Sequence, residues 1–173
     1  VNVVAWAGYV ENGTTDPAVD WVTSFEKETG CKVNVKIGNT SDEMVELMQS
    51  GEYDAVSASG DATLRLIAGG DVSPVNTDLI PNYADVFDDL KNKLWNSKDG
   101  VAYGVPHGRG ANVLVYNTEA GAAPDSIKAM FETDSPYAGK ISVYDSPIYI
   151  ADAAVYLMAT QPDLAITNPY ALD

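Results

Sequence analysis

The sequence predicts an α/β fold built on a parallel sheet, and three observations lead there. Apolar, β-branched runs alternate with helical patterns between Val1 and Gly70, as strand, helix, strand, helix, strand, helix. Helix-start signals stand between the strands, at Asp16-Pro17 and at Thr40-Ser-Asp-Glu43. Glycines stand where helices should stop, at Gly30 and at Gly69-Gly70. Strands separated by helices imply right-handed crossovers and parallel pairing.

Val1 to Tyr9 opens the chain as a buried strand that breaks at Ala7-Gly8, leaving Trp6 and Tyr9 at its carboxyl end. Glu11 to Thr15 is a polar loop. Asp16 then caps a helix with Pro17 in its first position, and Val19, Val22 and Phe25 recur at helical spacing up to Gly30. Lys32 to Ile37 alternates polar and apolar residues, like a strand with one buried face. Thr40 to Glu43 is a capping box, and Met44, Val45, Leu47 and Met48 form the apolar face of the helix it opens. Tyr53 to Val56 is a short strand, Ser57 to Asp61 the loop after it, and Ala62 to Ala68 a third helix.

Beyond Gly70 the expected elements are less regular. Val72 to Val75 is a brief strand, Asn76 to Pro81 a connection and Asn82 to Leu94 a helix. Lys98-Asp-Gly100 is a turn between strand-like pieces, the second being Val101 to Val105. Pro106 to Gly110 is too glycine-rich for regular structure and is placed to act as a hinge before a strand at Asn112 to Tyr116. Ala123 to Ser126 opens a helix to about Glu132, Lys140 to Tyr144 is a strand, and Ser146-Pro147 caps a helix to about Thr160. Thr167 to Asp173 begins a helix that reads as an interrupted element.

Composition narrows the function classes. A chain of 173 residues with 46% hydrophobic content and 14 glycines can bury a core. The formal net charge of −15 argues against nucleic acid and anionic membrane surfaces, which need clustered Lys and Arg, and favours cationic ligands in a general way. No apolar run reaches the roughly 18 residues of a membrane span. One cysteine, Cys31, can form neither an internal disulfide nor a Cys-based zinc site, and a buried inert thiol is expected.

Catalytic patterns are weak. His107 is the only histidine and has no Gly-x-Ser-x-Gly elbow, so a hydrolase-like use of it is an outlying alternative to a plain loop residue. Gly108-Arg-Gly110 does not complete a dinucleotide fingerprint, and no metal-ligand spacing occurs. No catalytic residue, metal or cofactor is therefore expected. The loops at strand carboxyl ends are more informative, because ligands of open α/β sheets gather there. Trp6 and Tyr9, Ser59-Gly60-Asp61, and Tyr144-Asp145-Ser146 can converge on one cleft suited to a small organic amine. Each has a plainer reading: the rings as packing, Asp61 as an acid in a first helical turn, and Asp145 as a cap.

Several blocks together resemble one family. They are Val-Val-Ala-Trp-Ala-Gly-Tyr9, Trp21-Val-Thr-Ser-Phe-Glu-Lys-Glu-Thr-Gly-Cys31, Thr40-Ser-Asp-Glu-Met44, Ser57-Ala-Ser-Gly-Asp-Ala62 and Tyr144-Asp-Ser-Pro-Ile-Tyr-Ile-Ala-Asp152. The chain resembles the spermidine/putrescine-type solute-binding proteins of bacterial ABC transporters, most closely a subgroup with YdcS-like proteins and γ-aminobutyrate binders. The resemblance implies a type II periplasmic binding protein with two α/β lobes. The first lobe takes residues 1–110, lacking its return segment, and an incomplete second lobe takes 111–173. It implies a secreted, periplasmic or extracytoplasmic protein, its leader removed, that passes a small amine to a permease without spanning the membrane or binding nucleic acid. The ligand residues carried over are Trp6, Tyr9, Ser59, Gly60, Asp61, Arg109, Asp145, Ser146 and Tyr149. Polyamine binders carry acids where this chain has Gly8 and Tyr149, and often an aromatic where it has Arg109. Those departures favour γ-aminobutyrate or another zwitterion as the alternative to putrescine or spermidine.

Overall fold

β1 (Asn2–Ala5) lies between two parallel neighbours, β2 (Asn34–Ile37) and β3 (Ala55–Val56), in a computed structural model that describes residues 1–170. The pairing runs from Asn2 opposite Asn34 to Ala5 opposite Ile37, and from Val3 opposite Ala55 to Val4 opposite Val56. Flanked on both sides, Val4 and Ala5 are fully buried, whereas β2 is an edge strand and mostly exposed. The ladder continues past the strands, since Gly38 N–H donates to Ala5 C=O at 3.0 Å and Ser57 N–H to Val4 C=O at 2.8 Å. All three carboxyl ends therefore lie side by side.

In the first 70 residues three helices form in the expected order, with the first and third starts shifted. α1 (Val22–Thr29) begins a turn later than Asp16-Pro17 suggests. Asp16 instead closes a local turn, accepting from Ala18 N–H at 2.9 Å, and Asp20 caps α1 by accepting from Val22 N–H at 3.1 Å and Thr23 N–H at 2.9 Å. Hydrogen bonding from Thr23, the largest cause, holds the Asp20 carboxyl below the usual carboxylate range. Gly30 ends α1 in the left-handed region, at φ 72°. α2 (Ser41–Gln49) has the expected capping box in a shifted form: Thr40 accepts from Glu43 N–H at 3.1 Å, while Glu43 accepts from Asn39 N–H at 2.8 Å. α3 (Gly60–Gly69) starts two residues earlier than expected, which places Asp61 inside its first turn.

The core forms where α2 and α3 meet the sheet. Val45, Met48, Ala62 and Leu66 cluster there, with Tyr53, Val56, Ala58 and Val72 packed around them. Met44 is fully buried beneath the turn after β2. A Cβ at Gly38 would stand 2.8 Å from Met44 Cγ, so the turn and the methionine can share that space only with glycine. Each such buried side chain contributes roughly 1.5–3 kcal/mol through removal from water. Cys31 is half-buried rather than a core thiol.

After α3 the chain is less regular than expected. Val72 to Val75 is not a strand, though Val75 N–H donates to Ala102 C=O at 2.8 Å. Asn82 to Leu94 is not a helix: 3-10 turns at Thr77–Leu79 and Pro81–Asp85 give way to irregular turns. Asn92 is left-handed at φ 51°, and the Asn96 side chain takes up Lys93 N–H and Leu90 C=O, which competes with a helical ladder. The hairpin β4 (Ser97–Lys98) and β5 (Val101–Ala102) turns at Asp99 and Gly100, with φ 52° and 77° as a tight two-residue turn requires.

In the last third, α4 (Lys128–Phe131) is shorter than expected and α5 (Ile148–Thr160) matches. The strands expected at Asn112 to Tyr116 and Lys140 to Tyr144 do not form: both stretches are irregular and unpaired among the described residues. Without a ladder partner a strand's backbone groups stay with solvent, and Val113, Val115 and Val143 are exposed. Thr167 to Tyr170 is not helical, and residues 171–173 of that expected helix lie outside the described residues. No helix among the described residues is long and apolar enough to cross a membrane.

Two substitutions separate core from cap. Met44→Ala should cost about 2–5 kcal/mol in urea unfolding, through lost transfer energy and a cavity. Thr40→Ala should cost about 1 kcal/mol, the loss of one helix cap. Equal losses would show that Met44 is not under the packing constraint described.

Candidate functional site

A cleft of about 490 Å³ opens at the carboxyl ends of β1 and β3. One wall is the segment after β1. Tyr9 N–H donates to Trp6 C=O at 3.1 Å, closing a turn whose third residue, Gly8, has φ 84°, a conformation that suits glycine better than an acid. That turn brings Trp6 and Tyr9 to the opening. The floor is Ser57 to Gly60, the loop between β3 and α3. The opposite wall comes from the hairpin region and the loop after it: Trp95, Asn96, Tyr103 and the stretch from Gly104 to Gly110.

Two contacts hold the walls in place. A Cβ at Gly60 would fall 2.6 Å from Trp95 Cβ, so the indole sits directly on the start of α3 because residue 60 has no side chain. Across the opening, Tyr9 stacks on His107 with ring centroids 4.6 Å apart. His107 is thus a wall and stacking residue, with no serine or acid hydrogen-bonded to it among the described residues.

The sequence-predicted site divides. Trp6, Tyr9, Ser59, Gly60 and Arg109 all line this cleft. Asp61 does not. It is only 7% exposed, turned toward α2, where Ser41 Oγ donates to its Oδ1 at 3.4 Å, and its Oδ2 has no hydrogen-bond partner among the described residues. Burial, the largest cause, pushes its carboxyl above the usual range against the hydrogen bonds that lower it. Asp145, Ser146 and Tyr149 lie in a separate groove that shares no residue with the cleft and includes Asp42. That segment meets the carboxyl end of β2, where Tyr144 Oη donates to Asn39 C=O at 2.7 Å. The expected convergence of all three loops on one crevice is therefore corrected: parallel pairing joins the first two, but the Asp145 segment, unpaired with the sheet, rests beside β2 instead.

Trp95, Asn96, Tyr103 and His107 are wall residues outside the sequence-predicted ligand set. For Asn96 and Tyr103 the signal was present in the Asp99-Gly100 turn. Its register sets residues 96 and 103 side by side, and Tyr103 N–H donates to Asn96 C=O at 3.0 Å. Among the described residues no group of three or more His, Cys, Asp or Glu is placed to hold a metal ion.

Comparison with known proteins adds two findings. A family model described as bacterial extracellular solute-binding protein matches residues 20–169. Among solved structures, one described as a spermidine/putrescine ABC transporter from Listeria monocytogenes is similar at 20% identity, with a TM-score of 0.48. The match covers 56% of this chain and 28% of that one.

The Asp61 carboxyl makes stability depend on pH in a defined direction. Its raised value means the fold keeps the proton better than the unfolded chain does. Its favourable contribution is complete below the unfolded value of 3.8 and is lost as pH rises through the folded value. Asp61→Asn, which removes the charge but places amide N–H donors where Oδ2 has no partner among the described residues, should change Tm more favourably at about pH 7 than near pH 4, by about 2–4 °C. A change equal at both pH values in calorimetry would show that Asp61 is not the titrating group.

Proposed function

The chain belongs to the bacterial extracellular solute-binding protein family, and from that premise we propose that the Trp6 cleft captures a small amine-bearing solute for an ABC permease. Family membership makes it a binding protein rather than an enzyme. The observation that carries the reading is the cleft itself. It joins two aromatics after β1, a Ser59 hydroxyl that makes no helix-capping bond, and Arg109 at the carboxyl ends of adjacent parallel strands. Trp6 and Tyr9 would pack on the solute's methylenes, and Ser59 would hydrogen-bond its polar end.

In this reading residues 1–110 form one lobe and 111–173 begin a second, working outside the cytoplasmic membrane. Solute that touches both lobes only when they meet shifts the population toward a closed form. Asp145, Ser146 and Tyr149, now on their own groove, would reach the solute through that movement, and Asp145 would then face its ammonium. Putrescine and spermidine are the solutes suggested by the sequence resemblance. A zwitterion such as γ-aminobutyrate is the second reading, and Arg109 on the cleft wall favours it.

Titration calorimetry of the full-length protein with putrescine, spermidine and γ-aminobutyrate tests the proposal. One of them should give saturable heat together with a change in tryptophan fluorescence. Trp6→Ala should weaken that binding about tenfold or more. Silence from all three, or undiminished binding by Trp6→Ala, would discard the cleft as the solute site.

A further inference from the structure

We infer that the cleft grips a carboxylate through Arg109, and that Asp89 is a built-in competitor which the ligand displaces. This rests on the cleft being the solute site and goes further by naming the charge that its first wall accepts.

The cleft wall contains no Asp or Glu. For a chain with 25 acids and 10 basic residues, that is the reverse of the surface as a whole. An ammonium entering here would meet no counter-ion on this wall. The polar side-chain groups present are hydroxyls, one amide, the indole N–H groups of Trp6 and Trp95, the imidazole of His107 and the guanidinium of Arg109. Several are already committed: Thr63 Oγ1 donates to Ser59 C=O at 3.1 Å, and the Asn96 side chain serves Lys93 and Leu90. Ser59 makes no capping bond with its side chain. The hydroxyls can donate as well as accept, and the guanidinium of Arg109 can only donate and carries a full positive charge with no carboxylate on the same wall to oppose it.

Arg109 stands on a partition. The loop from Pro106 to Arg109 also lines a second hollow, which holds Asp85, Phe87 and Asp89. There Arg109 Nη2 lies 3.3 Å from Asp89 Oδ2, in a pair 68% and 61% exposed. So exposed a pair is weak and screened by salt. A single Nη contact leaves most of the guanidinium's donors uncommitted. Gly108 and Gly110, with open space around both, give the loop backbone freedom to turn the side chain. A carboxylate in the cleft could be held in a two-point fork, a stronger arrangement than the solvated single contact with Asp89. Exchange from Asp89 to ligand is thus favourable, and Asp89 lowers affinity by having to be displaced.

Calorimetry of the full-length protein with putrescine, γ-aminobutyrate and succinate, probes of matched length with neither, one or both ends as carboxylate, tests this. Saturable binding of γ-aminobutyrate or succinate is expected. Arg109→Gln should weaken it at least tenfold, and Asp89→Asn should tighten it roughly two- to five-fold. Circular dichroism confirms that each variant is folded; should Arg109→Gln fail to fold, Arg109→Lys, which keeps charge but loses the fork, should still weaken binding several-fold. Binding of putrescine alone would overturn the carboxylate inference while leaving solute capture intact. Silence from all three would overturn both. Carboxylate binding unchanged by Arg109→Gln or Arg109→Lys would remove Arg109 from the site, and affinity unchanged by Asp89→Asn would remove the competitor.

Discussion

Parallel pairing of β1 with a strand on each side is the constraint on which the remaining architecture depends. Because β2 and β3 both run in the direction of β1, the loops that leave them emerge at one end of the sheet. The Ser57 bond to Val4 and the Gly38 bond to Ala5 carry that alignment past the strands. The aromatic turn at Trp6 to Tyr9 and the start of α3 become neighbours as a consequence. Burial enforces the arrangement: Val4 and Ala5, on opposite faces of β1, have no exposed surface.

A second layer of constraint is the close approach of backbone and ring. Gly60 admits Trp95 to the first turn of α3, and Gly38 admits Met44 beneath β2. In each place a missing side chain lets two distant segments touch. The hairpin that carries Trp95 is thereby seated against α3, and the loop that follows it reaches Tyr9 through the His107 stack. The cleft is a product of these contacts rather than of any one motif.

Legibility followed the range of the forces involved. The capping box at Thr40, the stop at Gly30, the turn at Asp99-Gly100 and the α5 helix are local, within a few residues, and were readable. The start of α1 was misplaced because Asp16 and Asp20 both satisfy nearby N–H groups, and only the bonds to Val22 and Thr23 distinguish them. The helix expected at Asn82 to Leu94 failed because the Asn96 side chain captured backbone groups that a helix would need. The strands expected at Asn112 and Lys140 had the right alternation, but a strand is a relation between two segments, and no partner meets them among the described residues.

By itself the sequence determined the alternating α/β order, the placing of aromatics after the first strand, and the blocks shared with a family of solute binders. Those follow from propensity, capping and spacing, which act along the chain. Only the tertiary structure decided that Asp61 turns inward to Ser41 and that Asp145 lies in another groove. It also decided that Arg109 stands between an acid-free cleft and Asp89. Side-chain direction and the meeting of distant loops depend on which surfaces exclude water together, and a linear pattern does not contain that information.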